Sequence, residues 1–248
     1  MRVARVYPSG ELSVSKALVN GSSKPPSRRY GPRMVRGLGP VSARSLRRAV
    51  VYRSQAPGGA QFVMLTLTSQ HEKTDEEMRA ALQRFLAWGR KYLGPWFHWY
   101  VWVAELQARG VLHFHVLLSQ RVPKPLFLRL RRLWAEVYGM GPGSVDIKRM
   151  RSGKGAAKYL AKYVVKDDDG TGVRYSRHTG EVYKRERFRG NPSGMSTGAR
   201  FATKPAVLLW SSWDAFPGLD HWHGVGRYFE SQGDAEKALA ALLAVPSG

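Results

Sequence analysis

The stretch VLHFHVLL, residues 111–118, alternates two histidines with bulky apolar side chains. In an extended strand successive side chains point to opposite faces, so His113 and His115 share one face and their apolar neighbours share the other. With a rise of roughly 3.4 Å per residue, the two imidazoles start about 7 Å apart and can converge on one divalent ion. The stretch therefore predicts a strand with one buried face and a candidate metal site on the other.

The preceding segment, WYVWVAELQ at residues 99–107, is separated from this strand by Ala-Arg-Gly. A three-residue hairpin loop commonly has glycine at its left-handed position, and Gly110 stands there. That register pairs Glu105 with His113 and puts Glu105 and Gln107 on the histidine face. A two-residue loop would reverse the parity and remove Glu105 from the site. A lone strand histidine is usually satisfied or exposed, whereas two in phase opposite an acid favour a metal site.

The composition indicates a polyanionic partner. Forty Lys and Arg residues against 18 Asp and Glu residues give a formal net charge of +22. No long uncharged apolar run or secretory signal is apparent, so we expect nucleic acid rather than a membrane. The absence of cysteine excludes disulfides, zinc fingers and thiol nucleophiles, and it is typical of a cytoplasmic protein.

Hydrophobic periodicity predicts the element order β-α-β-β-α-β-α between residues 61 and 166. The predicted strands and helices, in chain order, are 61–69, 74–93, 99–107, 111–118, 123–138, 144–148 and 155–166. Gly94-Pro95 is expected to end the first helix. The first six elements are those of an RRM-like or ferredoxin-like split sheet. The predicted class is therefore α+β, with an antiparallel sheet whose helices cover one face and leave the other open for a ligand.

We expect three parts: 1–55, a basic N-terminal arm and helix; 56–168, the core; and 169–248, a basic C-terminal extension with a closing helix. The arm is rich in Gly, Pro, Ser and Arg and reads as irregular, with a short strand at 11–17. A basic helix is expected at 41–53, either solvated or binding. A second His-x-His, at 221–223, is rejected as the metal site because it lacks a sustained apolar strand and an acid-bearing partner.

Two tyrosines share one face of the last predicted helix of the core. Tyr159 and Tyr163 are four residues apart, and each is followed three residues later by a lysine, Lys162 or Lys166. A phenol has an ordinary pKa near 10, so attack on phosphorus needs a polarised phosphate and help with the proton. A divalent metal supplies the first, and a nearby lysine can orient the phosphate and lower the phenol pKa. An ordinary basic helix carrying two tyrosines is the alternative.

Together these pieces resemble the His-hydrophobe-His (HUH) endonucleases, specifically the replication initiators (Rep proteins) of rolling-circle plasmids and single-stranded DNA phages. The motifs that carry the resemblance are Thr66-Leu67-Thr68, His113-Phe114-His115 and YLAKYVVK at 159–166, in the family's order. The resemblance implies Mg²⁺ or Mn²⁺ held by His113, His115 and Glu105, with Gln107 replacing Glu105 if the register slips. Tyr163 fits the family's Tyr-x-x-Lys-acid pattern better than Tyr159, and both are kept as nucleophiles.

The resemblance also implies the reaction and the partners. The substrate would be single-stranded origin DNA or an origin hairpin, nicked and rejoined through a 5′-phosphotyrosine that leaves a free 3′-OH for a polymerase. The chain has no G-x-x-x-x-G-K-[ST] motif, so a host helicase would act in trans in the bacterial cytoplasm. The alternatives are a single-strand transposase with the same chemistry, and an RRM-like binding protein without catalysis.

We expect DNA contacts from two places. One is the first strand of the core, and the other is a basic hairpin around residues 178–180, where cations and aromatic rings alternate as in grooves that track a single strand. The expected DNA-binding residues are Thr66, Thr68, Arg174, Arg177, Lys184, Arg185 and Arg187. A solvated basic hairpin without DNA contacts is the other interpretation of this segment.

Overall fold

A computed structural model describes residues 2–16, 34–35, 40–56, 60–107, 110–150, 152, 155–156, 174–175, 182–183, 188–189, 193–211 and 227–243. The chain divides into two compact units. The smaller unit comprises Met1–Gly31 and Arg200–Gly248, and the larger unit comprises Pro32–Ala199. The predicted functional ranges 1–55, 56–168 and 169–248 remain predictions.

The described strands, in chain order, are β1 (Arg2–Val6), β2 (Glu11–Lys16), β3 (Met34–Val35), β4 (Val63–Leu67), β5 (Tyr100–Leu106), β6 (Leu112–Leu118), β7 (Val145–Arg149), β8 (Arg174–Tyr175), β9 (Val182–Tyr183), β10 (Phe188–Arg189), β11 (Ser193–Met195), β12 (Val207–Ser211) and β13 (Arg227–Tyr228). The described helices are α1 (Pro40–Ser54), α2 (Asp75–Phe97), α3 (Lys124–Arg132), a π-helical turn (Leu133–Val137), α4 (Thr197–Arg200), a 3-10 turn (Phe201–Thr203) and α5 (Gln232–Leu243). None of these helices combines the length and apolar content needed to cross a bilayer.

The smaller unit is an antiparallel four-stranded sheet in the order β12-β1-β2-β13, with α5 against β1 and β2. Ala4, Val6 and Leu12 of the strands and Leu239 of the helix are buried together. The expectation of an irregular N-terminal arm is therefore wrong for residues 2–16, because alternating apolar side chains there find a partner helix at the other end of the sequence. The strand expected near residue 11 and the closing helix are confirmed.

The larger unit is built on an antiparallel five-stranded sheet in the order β11-β5-β6-β4-β7. The predicted α+β class is confirmed by this sheet and its helices. Strand β11, which the sequence pattern did not indicate, adds an edge by pairing Gly194 with Trp102. A Cβ at Gly194 would lie 2.6 Å from Nε1 of Trp102, so only glycine allows this close approach.

One face of the five-stranded sheet is covered by α2, α3 and the π-helical turn. Thr74 caps α2 in a reciprocal capping box with Glu77, and these hydrogen bonds from the Thr74 backbone and side chain lower the pKa of Glu77. The helical segment continues to Phe97 with a break at Gly94, so Gly94-Pro95 interrupts the helix instead of ending it as predicted. The core on this face includes Leu67, Met78, Phe85, Phe97, Phe114, Val116, Leu130 and Trp134.

The other face of the sheet is covered at one end, contrary to the expectation of an open face. Helix α1 buries Leu46, Ala49 and Val50, whose spacing forms an apolar stripe on one side of the helix. Their partners on the sheet include Phe62, Met64, Val101, Val103 and Leu117. The basic helix predicted at 41–53 is therefore confirmed as a helix, and its apolar side packs against the sheet.

Candidate metal centre

The β5–β6 hairpin has the predicted register. Glu105 is the cross-strand partner of His113, and the backbone N–H of Gln107 donates to the carbonyl of Val111 at 2.9 Å. Gly110 has φ of +78°, the left-handed conformation that the three-residue loop requires of its last residue. The turn therefore keeps Glu105, His113 and His115 on the same face of the sheet.

Three side-chain atoms converge on one point of this face. Oε2 of Glu105 lies 2.9 Å from Nε2 of His113 and 3.4 Å from Nε2 of His115. The two Nε2 atoms are 3.1 Å apart. The side chains are mostly buried, with exposed fractions of 11% for Glu105, 16% for His113 and 6% for His115. Two imidazoles and a carboxylate this close make a compact group, termed here the Glu–His–His group.

The interatomic distances fit adjacent ligands of a single divalent cation. Neighbouring ligands at right angles, with metal–ligand bonds of about 2.1 Å, lie roughly 3.0 Å apart. The three separations in the Glu–His–His group, 2.9, 3.1 and 3.4 Å, are close to that value. Among the described residues, Glu105, His113 and His115 form the one set of three or more potential ligands that could hold a metal ion. Their donor set of two nitrogens and one oxygen suits Mg²⁺ poorly as a full cage but accepts Mn²⁺ or a partly hydrated ion.

The second ring nitrogen of His115 has a partner on the neighbouring strand. Oγ1 of Thr66 lies 3.2 Å from Nδ1 of His115, and the two residues are paired in the β4–β6 ladder. When the ring donates its Nδ1–H to this hydroxyl, the lone pair of Nε2 is left facing Glu105 and His113. A hydrogen bond of this kind orients a ligand histidine and selects its tautomer.

The end of β4 is held in place beside the Glu–His–His group. The amide of Gln107 donates a hydrogen bond to Oγ1 of Thr68, and Nε1 of the buried Trp134 donates to the Thr68 carbonyl at 2.6 Å. Trp134 lies in the π-helical turn, on the other side of the sheet. Gln107 is therefore engaged with Thr68 and lies outside the Glu–His–His group, and the register leaves Glu105 as the residue opposite His113.

Two charged residues of the edge strand share the face that carries the Glu–His–His group. Asp146 pairs with Thr66, and Lys148 pairs with Met64, so both side chains point to this face. Asp146 and Lys148 are exposed. The sequence pattern signalled neither residue, because SVDIK reads only as a short strand until the order of the strands is known.

The helix that the sequence assigns to the two tyrosines begins on this same face. The hydroxyl of Ser152 accepts a hydrogen bond from the Gly155 N–H at 3.0 Å, and the Ala156 N–H donates to the Ser152 carbonyl at 2.9 Å. Ser152 is thus an N-cap, three residues before the predicted start. Ala156 is fully buried in the cluster that contains Val103 and Leu117, on the same side of the sheet as His115.

Most of the other predicted site residues lie outside the described part of the chain. This applies to Tyr159, Lys162, Tyr163, Lys166, Arg177, Lys184, Arg185 and Arg187, and to the rejected His-x-His at 221–223. Arg174 lies in β8, which pairs with β9, so the predicted hairpin is confirmed at that point. Thr66 and Thr68 lie beside the Glu–His–His group, where Thr66 contacts His115.

A comparison with known families gives a match over the segment that contains this group. Residues 60–168 match the family of the replication-associated protein ORF2 and the gene 2 protein. This segment is similar to that family from the start of β4 to the end of the predicted tyrosine helix, so the resemblance to replication initiators is confirmed at the level of the family. No curated protein and no solved structure matches the chain.

Proposed function

We propose that the protein is a replication initiator that nicks and rejoins single-stranded origin DNA through a tyrosine. The observation that carries the proposal is the convergence of Glu105, His113 and His115 within a segment that matches a replication-associated family. The strand order supports it, because β5-β6-β4-β7 is the order of a ferredoxin-like split sheet, the predicted scaffold for an HUH site.

The Glu–His–His group would hold Mg²⁺ or Mn²⁺, and the bound ion would supply Lewis-acid polarisation of the scissile phosphate. The protein's contribution is a preorganised set of ligand atoms on two paired strands. Because the hairpin turn, the Thr66 hydroxyl and the packed core all restrain these side chains, the ligands need little rearrangement to bind the ion.

The position of Ala156 supports a role for the tyrosines. In a helix, residues at i, i+3 and i+7 share a face. A helix continuing from the Ser152 cap would therefore direct Tyr159 and Tyr163 to the same side as Ala156, which is buried on the face that carries His115. The two phenols would then lie on the phosphate side of the Glu–His–His group, one and two helical turns beyond Ala156.

In the proposed reaction the phenolic oxygen of Tyr163 or Tyr159 attacks phosphorus. The new bond joins the tyrosine oxygen to phosphorus, and the bond between phosphorus and O3′ of the upstream nucleotide breaks. The phenol loses its proton and the departing O3′ gains one, with Lys162 or Lys166 stabilising the phenolate. The reverse attack by a 3′-OH rejoins the strand, and no ATP is needed because one phosphodiester replaces another.

The noncatalytic RRM-like interpretation is less well supported. Such domains stack unpaired bases on aromatic side chains of the sheet. In the described strands of the larger unit, no exposed aromatic side chain lies on the face with the Glu–His–His group, whose ends are polar near His115 and apolar under α1. A transposase would use the same group on a transposon end and differs in the DNA that it recognises.

The test is covalent adduct formation with labelled single-stranded oligonucleotides that tile the origin strand, in Mn²⁺, on a denaturing gel. We expect a protein–DNA band that EDTA abolishes. Tyr163→Phe should remove the adduct or reduce it more than Tyr159→Phe, because Tyr163 has the better sequence context. Tyr92→Phe, on the exposed side of α2, is the matched control and should keep the full adduct.

Two results would contradict the proposal. One is the absence of any adduct on every oligonucleotide and in every metal tested. The other is full adduct formation by the double variant Tyr159→Phe with Tyr163→Phe, which would exclude these phenols as nucleophiles. A double variant that loses the adduct while both single variants retain it would support the reaction but not the preference for Tyr163.

A further inference from the structure

A ladder of cations and aromatic rings lies on the helical layer of the larger unit, on the side of the sheet away from the Glu–His–His group. Arg84, Trp88 and Tyr92 follow one another at four-residue intervals on α2, so they share one face of the helix. At 1.5 Å per residue this stripe is about 12 Å long. Helix α3 and the π-helical turn contribute the neighbouring side chains.

Each ring in the ladder is in contact with a cation or another ring. The measured contacts are the Arg129 guanidinium over the Trp88 ring at 5.7 Å, the Trp88 and Tyr92 centroids at 5.2 Å, Lys91 Nζ over the Tyr92 ring at 5.0 Å, and the Arg84 guanidinium over the Tyr138 ring at 5.3 Å. Tyr92 is 56% exposed, one of few large apolar or aromatic side chains in the described chain that is so accessible.

The charge around this ladder is almost entirely positive. Residues 78–135 contain a single acid, Glu105, and it belongs to the metal group on the other face. The next acid, Glu136, pairs with Arg132 at 2.8 Å. Strand β10, which follows the basic segment 184–187, lies beside α2 and adds to the positive charge in this region.

We propose that this ladder binds single-stranded DNA at a second site, separate from the Glu–His–His group. Proteins that bind single strands without sequence preference combine cations for the phosphates with aromatic rings on which bases stack. The exposed ring of Tyr92, with Lys91 and Arg129 on either side of the stacked pair, provides both components within the reach of one or two nucleotides.

Single-stranded DNA suits the ladder better than a duplex, because only unpaired bases can stack on an exposed ring. A duplex would use the cations alone. DNA is chosen over RNA because the surrounding segment matches a replication-associated family. The site goes beyond the proposed nicking activity, since a strand held on the helical layer cannot at the same point reach the Glu–His–His group.

The test compares two triple variants of the full chain. The ladder variant combines Lys91→Ala, Tyr92→Ser and Arg129→Ala, and the control variant combines Phe201→Ser, Lys204→Ala and Lys237→Ala. Each removes one exposed aromatic ring and two exposed cations, so the net charge is the same in both. The measurement is fluorescence anisotropy of a labelled oligo(dT) at several salt concentrations.

We expect the ladder variant to bind oligo(dT) at least about tenfold more weakly than the wild type, since loss of one stacked base alone has roughly this effect. The slope of log affinity against log salt should fall by about 1.4, from two lost phosphate contacts. The control variant should stay close to the wild type, and Tyr92→Phe should retain the affinity because it keeps the ring.

Equal weakening in both triple variants would overturn the proposal, because it would mean that net charge alone governs binding. An equal loss for duplex and single-stranded DNA would also overturn it. Circular dichroism and thermal melting verify that the ladder variant folds, and crosslinking of 5-iododeoxyuridine DNA to Tyr92 locates the strand. Failure of the nicking proposal is distinguishable, because His115→Ala should remove adduct formation without changing the oligo(dT) affinity.

Discussion

The two ends of one sheet face differ sharply although the same strands form both. Near Leu117 and Val103 the face is apolar and covered by α1. Two to four residues further along, the same face carries Glu105, His113 and His115. The strand alternation is identical at both ends, so the difference arises from the identity of the residues on that face and from the helix that covers only one end.

This difference shows how a partly covered face can hold a metal centre. The apolar end fixes the positions of the strands through close packing. The polar end then presents ligand atoms from a backbone that cannot easily move. Thr66 and Thr68 lie at the polar end of β4, where hydrogen bonds to His115 and from Gln107 and Trp134 replace the apolar contacts.

The largest expected effect is at the polar end. Replacing His115 with alanine removes one of three ligands, and we expect adduct formation to fall by about 10³-fold because metal polarisation of the phosphate contributes several kcal/mol. Salt-sensitive DNA binding should persist, since the net charge is unchanged. The measurement is the adduct yield per unit time, with His98→Ala as a control because His98 is exposed and outside the Glu–His–His group. Normal adduct formation by His115→Ala would contradict the assignment.

An intermediate effect is expected at the apolar end. Leu117→Ala should lower the free energy of unfolding by about 2–5 kcal/mol, the usual result of removing a fully buried leucine. Chemical denaturation measures this change. Mn²⁺ affinity at 25 °C should stay near that of the wild type while the protein is folded, because no ligand is altered. A loss of Mn²⁺ binding as large as that of His115→Ala would mean that the two ends do not act separately.

The smallest of these effects tests the link between β4 and the histidine. Thr66→Val keeps the shape but removes the hydroxyl that contacts Nδ1 of His115, and we expect Mn²⁺ affinity to fall by about 10–100-fold. Thr66→Ser restores the hydroxyl and should recover most of the affinity, as measured by calorimetry. Equal affinity in the valine and serine variants would assign Thr66 a packing role only.

Local patterns in the sequence were sufficient for the hairpin. Gly110 and the three-residue loop determined the register, and the period of two put Glu105 with both histidines. The capping box of α2 and the apolar stripe of α1 were also readable, because each depends on residues within one or two turns. The ends of elements were less predictable: the helix after Thr74 runs past Gly94, and the helix after β7 begins at Ser152.

By itself, the sequence determined the β5–β6 hairpin, the α+β class and the pairing of Glu105 with His113, because turn geometry and side-chain alternation act over a few residues. Only the tertiary structure decided that α1 covers half of the metal face, that Thr66 contacts His115, that Asp146 lies beside Thr66, and that the N-terminal strands join the C-terminal helix. These contacts join residues far apart in the chain. They depend on which apolar surfaces find each other during folding, and no local pattern encodes that choice.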